Sequence, residues 1–506
     1  MGNWAQYYIP ATAAIGTAMY GIDTGIIATT IGHQSFNDHM FPPDGEDAAL
    51  IGKPHLPGIS TGIGKTNAVG TLFAGWTADR FSRRYTLTIA SAIAIVGILL
   101  SVIGTNVGMF ITGRLLTGWS SGMILPVSAI YMAEVSKPKN RGIVVGFQGM
   151  GTATGFFLAN WIGYSGIFFE GNLQWRLPLS LQFPCAVLML IGSLVILPFT
   201  PRWLVSQDRF EEAHAVLARI HSDEGEEFID QEVIQIREQT ALERSYKRVG
   251  GEKWYSNFLM LFTKQYIKRL GFVCFIQALT QFGGVTVIQN YQNIFYGTVG
   301  FTGDTALLIS GIYGIMGLTG QIINLLVVAD RWRRTTTLWV GCLVLAIMLA
   351  ICEALSALFS DGSNQAASRT TIAFIFLYSA FFAIFFNSTM WVVCSELLPV
   401  FIRSSGLAVG TFASGVASIV ISQITPVALE NISWRYYNVF IAANLLGVVV
   451  YLFFLPDTKG KTLEEIGELF GDTLATAHIG DIDVDGKQGA GVIELENASY
   501  TRSRDV

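Results

Sequence analysis

Asp23 is an acidic residue inside the first long apolar run of this 506-residue chain. If the run is a membrane helix, Asp23 lies about fourteen residues after its start, or roughly 20 Å along the axis. A carboxylate at such a depth is costly unless it is paired, and intramembrane acids often mark the path of a proton or an ion. Arg114, near the beginning of the fourth apolar run, is the natural partner. The two residues predict either a proton-accepting site or a static buried ion pair.

Lys65 lies in a second stretch with possible chemistry, STGIGKTNAVG at 60–70. Its Gly-Lys-Thr centre resembles the end of a phosphate-binding loop, but the complete fingerprint G-x-x-x-x-G-K-[ST] requires glycine where Ile59 stands. The stretch also belongs to an apolar run with no strand before it, so we reject nucleotide binding. Three interpretations of Lys65 stay open: it reaches the outer membrane surface, it pairs with a carboxylate such as Asp23 or Glu353, or it contacts an anionic substrate.

Charged residues recur at matched positions in the two parts of the chain. Glu134 is followed seven positions later by an arginine, and so is Glu396. The segment DRFSRR at 79–84 has a counterpart, DRWRR, at 330–334. Arginine and carboxylate side chains form strong, geometrically demanding contacts, so these residues predict a charge cluster at one membrane face. The usual excess of basic residues in cytoplasmic loops explains the arginines but not the matched Glu/Arg pairs.

The composition places these residues in a membrane protein. The chain is 51% hydrophobic and only 14% charged, with a mean hydropathy of +0.47, whereas soluble domains are about 25% charged. A segment needs roughly 20 apolar residues to cross a bilayer, and it must be helical because lipid offers no hydrogen-bond partners. Twelve runs qualify, and they lie near 8–30, 58–78, 86–104, 107–132, 142–165, 176–199, 269–298, 305–329, 336–358, 370–394, 404–428 and 433–455.

The predicted fold class is an all-α membrane protein with twelve transmembrane helices in two pseudo-symmetric six-helix bundles. A hydrophilic, helix-patterned segment between the bundles predicts a cytoplasmic helical insert. We therefore divide the chain into an N-terminal bundle (1–199), the insert (200–268), a C-terminal bundle (269–456) and a cytoplasmic tail (457–506). Lys and Arg concentrate in alternate loops, which puts both termini in the cytoplasm. Internally repeated bundles predict a transporter with its substrate site between them, near the bilayer midplane.

Several short motifs support this interpretation. In chain order they are GIDTG at 21–25, G-x-x-x-DR-x-x-RR at 75–84, E-x₆-RG at 134–142, PxTPRWL at 198–204, SELLP-x₃-R at 395–403 and PDTKGKTLEEI at 456–466. In this order the chain resembles the sugar porter family of the major facilitator superfamily, in its fungal branch, over roughly residues 8–470. The resemblance implies symport of protons with a small-molecule sugar or polyol. We expect a monomer of the plasma membrane, embedded in lipid, with no cofactor, no nucleic-acid partner and no enzymatic activity.

The resemblance also implies roles for the charged residues. Proton-coupled members of the family have an Asp at the position of Asp23, paired with the Arg at the position of Arg114, whereas facilitators often have Asn. Cytoplasmic Arg–carboxylate contacts in the family hold the halves together while the site faces outward, and they break when it opens inward. The residues expected to form this gating cluster are Asp79, Arg80, Arg83, Arg84, Glu134, Arg141, Asp330, Arg331, Arg334, Glu396 and Arg403.

The expected substrate site departs from the family pattern. Gly149 stands where sugar porters usually have Gln, Thr280 replaces the first Gln of the family's pair, and Leu318 replaces the usual Asn of helix eight. Sugars need side chains that donate and accept hydrogen bonds, and an aromatic face for their C–H surface. The predicted substrate-binding residues are Gln148, Gln277, Thr280, Gln281, Gln289, Asn290, Tyr291, Asn387 and Trp391, with Ser388 and Thr389 as further candidates.

Substrate and coupling stay open at this point. The lost amides argue against a plain D-glucose transporter and leave a ketose, a disaccharide, a polyol or a cyclic polyhydroxy acid such as quinate. An uncoupled sugar facilitator would fit the fold but not Asp23. A non-transporting sugar sensor would be expected to have a longer tail than the 50 residues (506 − 456) after Pro456.

Overall fold

The computed structural model describes residues 5–40, 67–136, 141–221, 225–250, 256–298, 301, 303–329, 331–358, 365–459 and 470. All regular secondary structure in these ranges is helical. Lys65, Asp330 and the side chain of Arg141 lie outside the described residues, and so does the tail after 470. The predictions made for them stay predictions.

The described N-terminal part begins with long helices joined by short connections. Its helices are α1 (Ala5–Gly32), α2 (Gln34–Met40), α3 (Asn67–Phe81), α4 (Arg83–Ile103), α5 (Val107–Val135), α6 (Arg141–Ser165), α7 (Leu173–Ser180) and α8 (Phe183–Val195), with a 3₁₀ turn at Gly166–Phe168. Two starts are capped, because Ser82 accepts a hydrogen bond from the Tyr85 amide at 3.3 Å and Asn106 accepts one from the Met109 amide at 2.8 Å. Such caps satisfy amide groups that have no partner within the helix.

The predicted insert is helical where the structure describes it. Its helices are α9 (Pro201–Ser206), α10 (Phe210–Ile220), α11 (Glu226–Gly250) and α12 (Ser256–Leu261). Leu204, Leu217 and Ile229 belong to a small apolar core of its own. The buried His221 contacts the partly exposed Glu232 of α11 at 2.9 Å and so joins the end of α10 to α11. The insert is therefore a folded helical unit, as predicted.

The C-terminal part contains two broken helices. Its helices are α13 (Ile267–Thr280), α14 (Thr286–Thr298), α15 (Asp304–Ile323), α16 (Arg334–Leu358), α17 (Gln365–Phe385), α18 (Thr389–Leu397), α19 (Val400–Ile432) and α20 (Tyr437–Phe453), with a 3₁₀ turn at Ser433–Tyr436. A π-helical segment, Gln281–Val285, separates α13 from α14, and Gly284 within it has a φ of 106°, which favours glycine. A second π-helical segment, Asn324–Val328, follows α15. The run predicted as continuous at 269–298 is thus interrupted near its middle. The run at 370–394 is interrupted at 386–388, between α17 and α18.

Each of the twelve predicted apolar runs overlaps a described helix. Within the described ranges, eight stretches are long and apolar enough to cross a membrane, and one of them, 402–453, contains both α19 and α20. The predicted all-α membrane fold is confirmed. The domain limits at 199, 268 and 456 stay predictions.

Helices α1 and α6 lie in direct main-chain contact. A Cβ atom added at Gly21 would lie 2.2 Å from the Thr152 carbonyl oxygen, and one added at Gly155 would lie 2.0 Å from the Ala18 carbonyl oxygen. Small residues permit this approach, which is a common way for membrane helices to associate. The two helices therefore leave no space between them for larger side chains at these positions.

Candidate functional site

A cavity lies between the N-terminal and C-terminal helices. It offers about 120 Å³ of space, which is room for roughly four water molecules. Its lining from the N-terminal part is Tyr20, Gly21, Thr24, Leu125, Thr152, Ala153 and Phe156. Its lining from the C-terminal part is Gln277, Thr280, Gln281, Val285, Thr286, Gln289, Gly317, Ser379, Phe382, Ala383, Asn387, Met390, Trp391, Thr411, Ser414, Gly415 and Ser418. All of these described lining residues are uncharged.

The structure brings six of the nine predicted substrate residues to this cavity. These six are Gln277, Thr280, Gln281, Gln289, Asn387 and Trp391. The other three lie outside the described lining. Gln148 donates to the Leu125 carbonyl oxygen at 3.2 Å, Tyr291 donates to the Ser422 carbonyl oxygen at 2.6 Å, and Asn290 is buried behind the wall. A role in substrate binding stays a prediction for all nine.

The amide side chains of α13 and the following π-helical segment give the cavity its polar wall. Gln281 donates to the Ser414 hydroxyl at 2.9 Å and accepts a hydrogen bond from Thr286. Gln277 is 1% exposed, and its Nε2 has no hydrogen-bond partner among the described residues. The Gln277 amide lies beside the Cys394 thiol of α18 and contributes a buried polar group to the wall.

An aromatic residue closes another side of the cavity. Trp391 packs with Leu125 and Ala129 of α5, and Tyr20 of α1 packs against the same group. The indole therefore contacts the N-terminal helices although it belongs to α18. An aromatic face beside polar amides suits a ligand with both C–H and O–H surfaces.

Several hydroxyl residues of the lining were missed by the sequence analysis. Two pairs of them, Tyr20 with Thr24 and Ser414 with Ser418, lie at helical spacing inside apolar runs, and Thr152 has the same spacing to Phe156. A spacing of four residues places both members on one helix face. This periodicity was a usable signal, because each pair marks a polar or aromatic stripe on an otherwise apolar helix.

The predicted pair of Asp23 and Arg114 is formed. Arg114 Nη1 lies 2.5 Å from Asp23 Oδ1, and Arg114 Nη2 donates to the Asp23 carbonyl oxygen at 3.2 Å. Asp23 is 5% exposed and Arg114 is 3% exposed. The pair joins α1 to α5, and Asp23 directly precedes the cavity-lining Thr24. A buried ion pair therefore lies next to the wall of the cavity.

Matched contacts join the charged residues at the predicted cytoplasmic ends of the helices. Arg83 lies 3.0 Å from Glu134 and 3.5 Å from Asp79. In the C-terminal part, Arg334 lies 3.8 Å from Glu396. The Glu396 carboxylate also accepts a hydrogen bond from Thr458 at 2.6 Å. The sequence repeat is thus reproduced as two equivalent Arg–Glu contacts.

One contact of this cluster crosses from one bundle to the other. The Ser404 hydroxyl of α19 donates to Asp79 Oδ2 of α3 at 3.0 Å. Two other described members contact main-chain carbonyl groups of their own bundle. Arg84 donates to the Ser193 carbonyl oxygen at 2.8 Å, and Arg403 contacts the Leu398 carbonyl oxygen at 3.4 Å. Arg80 and Arg331 are exposed.

Comparisons with known proteins agree with this architecture. The family model described as "Sugar (and other) transporter" matches residues 10–470. The MFS-type transporter criB of Aspergillus cristatus is 30% identical over 461 residues, which cover 91% of this chain and 92% of that protein. A high-affinity glucose transporter of Kluyveromyces lactis is 26% identical over 487 residues, which cover 92% of this chain and 85% of the relative.

A solved structure has the same fold. The proton:xylose symporter XylE, bound to 6-bromo-6-deoxy-D-glucose, superposes with a TM-score of 0.78 over 93% of this chain and 100% of that chain. The two sequences are 24% identical. This similarity concerns the fold, and it agrees with the two-bundle arrangement around a central cavity.

Proposed function

Because the chain belongs to the sugar transporter family of the major facilitator superfamily, we propose that it imports a neutral sugar or polyol together with protons. The observation that carries this proposal is the uncharged polar cavity shared by both bundles, with a buried Asp–Arg pair beside it. A site between two repeated bundles can open alternately to each side when the bundles rock. We place the protein in the plasma membrane with both termini cytoplasmic.

The chemistry of the lining favours a neutral substrate over a polyhydroxy acid. Amides and hydroxyls both donate and accept hydrogen bonds, which matches sugar and polyol hydroxyls. A carboxylate substrate would need a cationic partner, because burying an unpaired charge is very costly. Among the described lining residues there is none. Relatives of this chain include a glucose transporter, in agreement with a sugar as cargo.

Proton coupling is assigned to the pair of Asp23 and Arg114. Protonation of Asp23 removes the charge that binds Arg114, so the contact between α1 and α5 weakens. Helix α1 also carries Tyr20 and Thr24 of the cavity wall. The protonation state of Asp23 therefore changes the packing of a helix that contacts the substrate. This arrangement allows proton binding and substrate binding to influence each other.

The proposal is tested by recording external pH in suspensions of sugar-uptake-deficient cells that express the chain. D-Glucose, D-fructose, maltose, sorbitol and quinate are added in turn, with empty-vector cells as the control. We expect alkalinisation with at least one neutral compound and none with quinate. Labelled uptake without a pH change would indicate a facilitator. A response to quinate alone would refute the neutral substrate, and surface-expressed protein without any uptake would favour a sensor.

Replacing Arg83 with alanine is expected to lower maximal uptake at least about tenfold, because it leaves Asp79 and the largely buried Glu134 without their cation. Asp79 also receives the Ser404 hydrogen bond from the other bundle, so the cytoplasmic contact between the bundles is weakened. Initial uptake rates are measured per surface-expressed protein. The control is Lys268→Ala, which removes an exposed basic residue outside the expected gating cluster. Equal rates in the two variants would contradict a gating role for Arg83.

A further inference from the structure

A cluster of neutral side chains adjoins the cavity on the side of the predicted cytoplasmic ends. We call Gln321, Asn324, Asn387 and Ser388, together with the Gly149 carbonyl group, the amide clamp. Gln321 and Asn324 are fully buried, and Ser388 is 4% exposed. Gly149 follows Arg141 by eight residues (149 − 141) on α6, so it lies roughly 12 Å from the start of that helix.

The orientation of every amide in the clamp is determined by its hydrogen bonds. Asn324 Nδ2 donates to the Ile384 carbonyl oxygen at 2.6 Å, and a carbonyl can only accept. Asn324 Oδ1 therefore faces Gln321, whose Nε2 lies 3.4 Å from it and donates to the Ser388 hydroxyl at 2.7 Å. Gln321 Oε1 is then directed to Asn387, whose Nδ2 donates to it at 2.8 Å.

Asn387 is the member of the clamp that reaches the cavity. Its Nδ2 also donates to the Gly149 carbonyl oxygen at 3.0 Å, so both of its N–H groups are used. Its Oδ1 receives no hydrogen bond from the described residues, and Asn387 lines the cavity. The clamp thereby presents a fixed acceptor to the cavity, which can be satisfied by a hydroxyl of the ligand.

The bond to Gly149 joins the two bundles, because Gly149 belongs to α6 and the other members belong to the C-terminal part. A side chain at this position would displace members of the clamp. An added Cβ would lie 2.3 Å from Ser388 Oγ and 3.0 Å from the Gln321 amide. If the bundles separate on this side of the cavity, the bond from Asn387 to Gly149 must break.

We propose that Gln321 is a positioning residue that holds Asn387 in one orientation, with Oδ1 toward the substrate and Nδ2 bound to Gly149. The amide clamp then links substrate recognition to closure of the cytoplasmic side. This inference rests on the proposed transport function. Gln321 is not among the residues that line the cavity, so its effect on the substrate passes through Asn387.

The first arm of the test needs no substrate. Cys394 is buried on α18, three residues after the cavity-lining Trp391 and hence on the same helix face. Purified full-length protein is treated with N-ethylmaleimide, and labelling of Cys394 is followed by mass spectrometry. We expect labelling about fivefold faster in Gln321→Leu and in Asn387→Ala, the effect of losing one net hydrogen bond between the bundles.

The matched control for this arm is Thr319→Val. Thr319 lies on α15, the helix that also contains Gln321. It is exposed, and its hydroxyl donates to the Ile315 carbonyl oxygen of the same helix. Equal labelling rates in the wild type, Gln321→Leu and Asn387→Ala would overturn the clamp. The use of two variants keeps the test decisive if one of them fails to fold.

The second arm compares uptake of D-glucose with that of its single-deoxy analogues. In the wild type we expect one analogue, the one that lacks the hydroxyl bound by Asn387, to have a kcat/KM about ten- to a hundredfold below that of D-glucose. The missing hydroxyl leaves Asn387 Oδ1 unpaired. In Gln321→Leu that same penalty should fall below about threefold, through KM rather than kcat.

The outcomes of the two arms separate the positioning role from the transport proposal. An undiminished penalty for the same analogue in Gln321→Leu would refute positioning, because a merely structural role affects all sugars alike. Absence of D-glucose uptake by the wild type would count against the proposed function with this sugar. In that event the labelling arm still decides whether the clamp closes the cytoplasmic side.

Discussion

The Asp23→Asn variant is expected to lose substrate-driven proton uptake entirely while it still equilibrates the substrate across the membrane. Asparagine has nearly the shape of aspartate but does not bind and release a proton. A proton that moves down 100 mV contributes about 2.3 kcal/mol, enough for roughly fiftyfold accumulation of the substrate. We therefore expect the accumulation ratio to fall from tens to unity, measured with labelled substrate together with external pH.

A matched control is available for this variant. Asp38→Asn makes the same chemical change at an exposed residue of α2, and it should leave accumulation unchanged. Retained proton uptake in Asp23→Asn would remove Asp23 from the coupling mechanism. The ion pair would then have the static, structural role that the sequence left open.

The Arg114→Leu variant is expected to be strongly destabilised, by about 3–5 kcal/mol, because it leaves the Asp23 charge buried without a partner. The double variant Asp23→Asn/Arg114→Leu should regain most of this stability, since it removes both charges. It should stay about 1 kcal/mol below the wild type, because the bond from Arg114 to the Asp23 carbonyl oxygen is also lost. Thermal unfolding of purified full-length protein measures all three proteins.

The double variant also separates stability from coupling. We expect it to fold and to transport without protons, like Asp23→Asn alone. A double variant as unstable as Arg114→Leu would show that Arg114 stabilises the fold by contacts other than the one with Asp23. Restored proton coupling in the double variant would contradict the assignment of Asp23 as the proton acceptor.

The sequence was sufficient to predict the helices and the charged pairs, for two physical reasons. Apolar runs of membrane length leave helix as the only backbone structure, so their positions agree within several residues with the helices in the described part of the chain. An acid or an arginine in such a run needs an opposite charge, which restricted the partner of Asp23 to very few residues. The matched Glu134 and Glu396 were identified by a different route, because the repeat between the two halves supplied an internal comparison.

Neutral polar residues gave much less information. Serine, threonine and asparagine can satisfy their hydrogen bonds within their own helix. The sequence therefore predicted Asn387 as a substrate candidate but gave no sign of its bond to the other bundle, whereas Thr319 bonds within its helix. The π-helical segment Gln281–Val285 adds a further difficulty. It changes the helical phase of the residues after it, and it places Gln289 in the cavity wall while Asn290 and Tyr291 lie behind it.

The main-chain contact between α1 and α6 has a mechanical consequence. Gly21 and Gly155 leave no gap between the two helices, so neither can shift toward the other and absorb a displacement. Asp23 is on α1, whereas Thr152, Phe156 and the Gly149 carbonyl group are on α6. Asp23, one wall of the cavity and the Gly149 carbonyl group that binds Asn387 are therefore carried by two helices that move as one unit. A tilt of α1 would therefore move α6, with Thr152, Phe156 and the Gly149 carbonyl group, through main-chain contact alone.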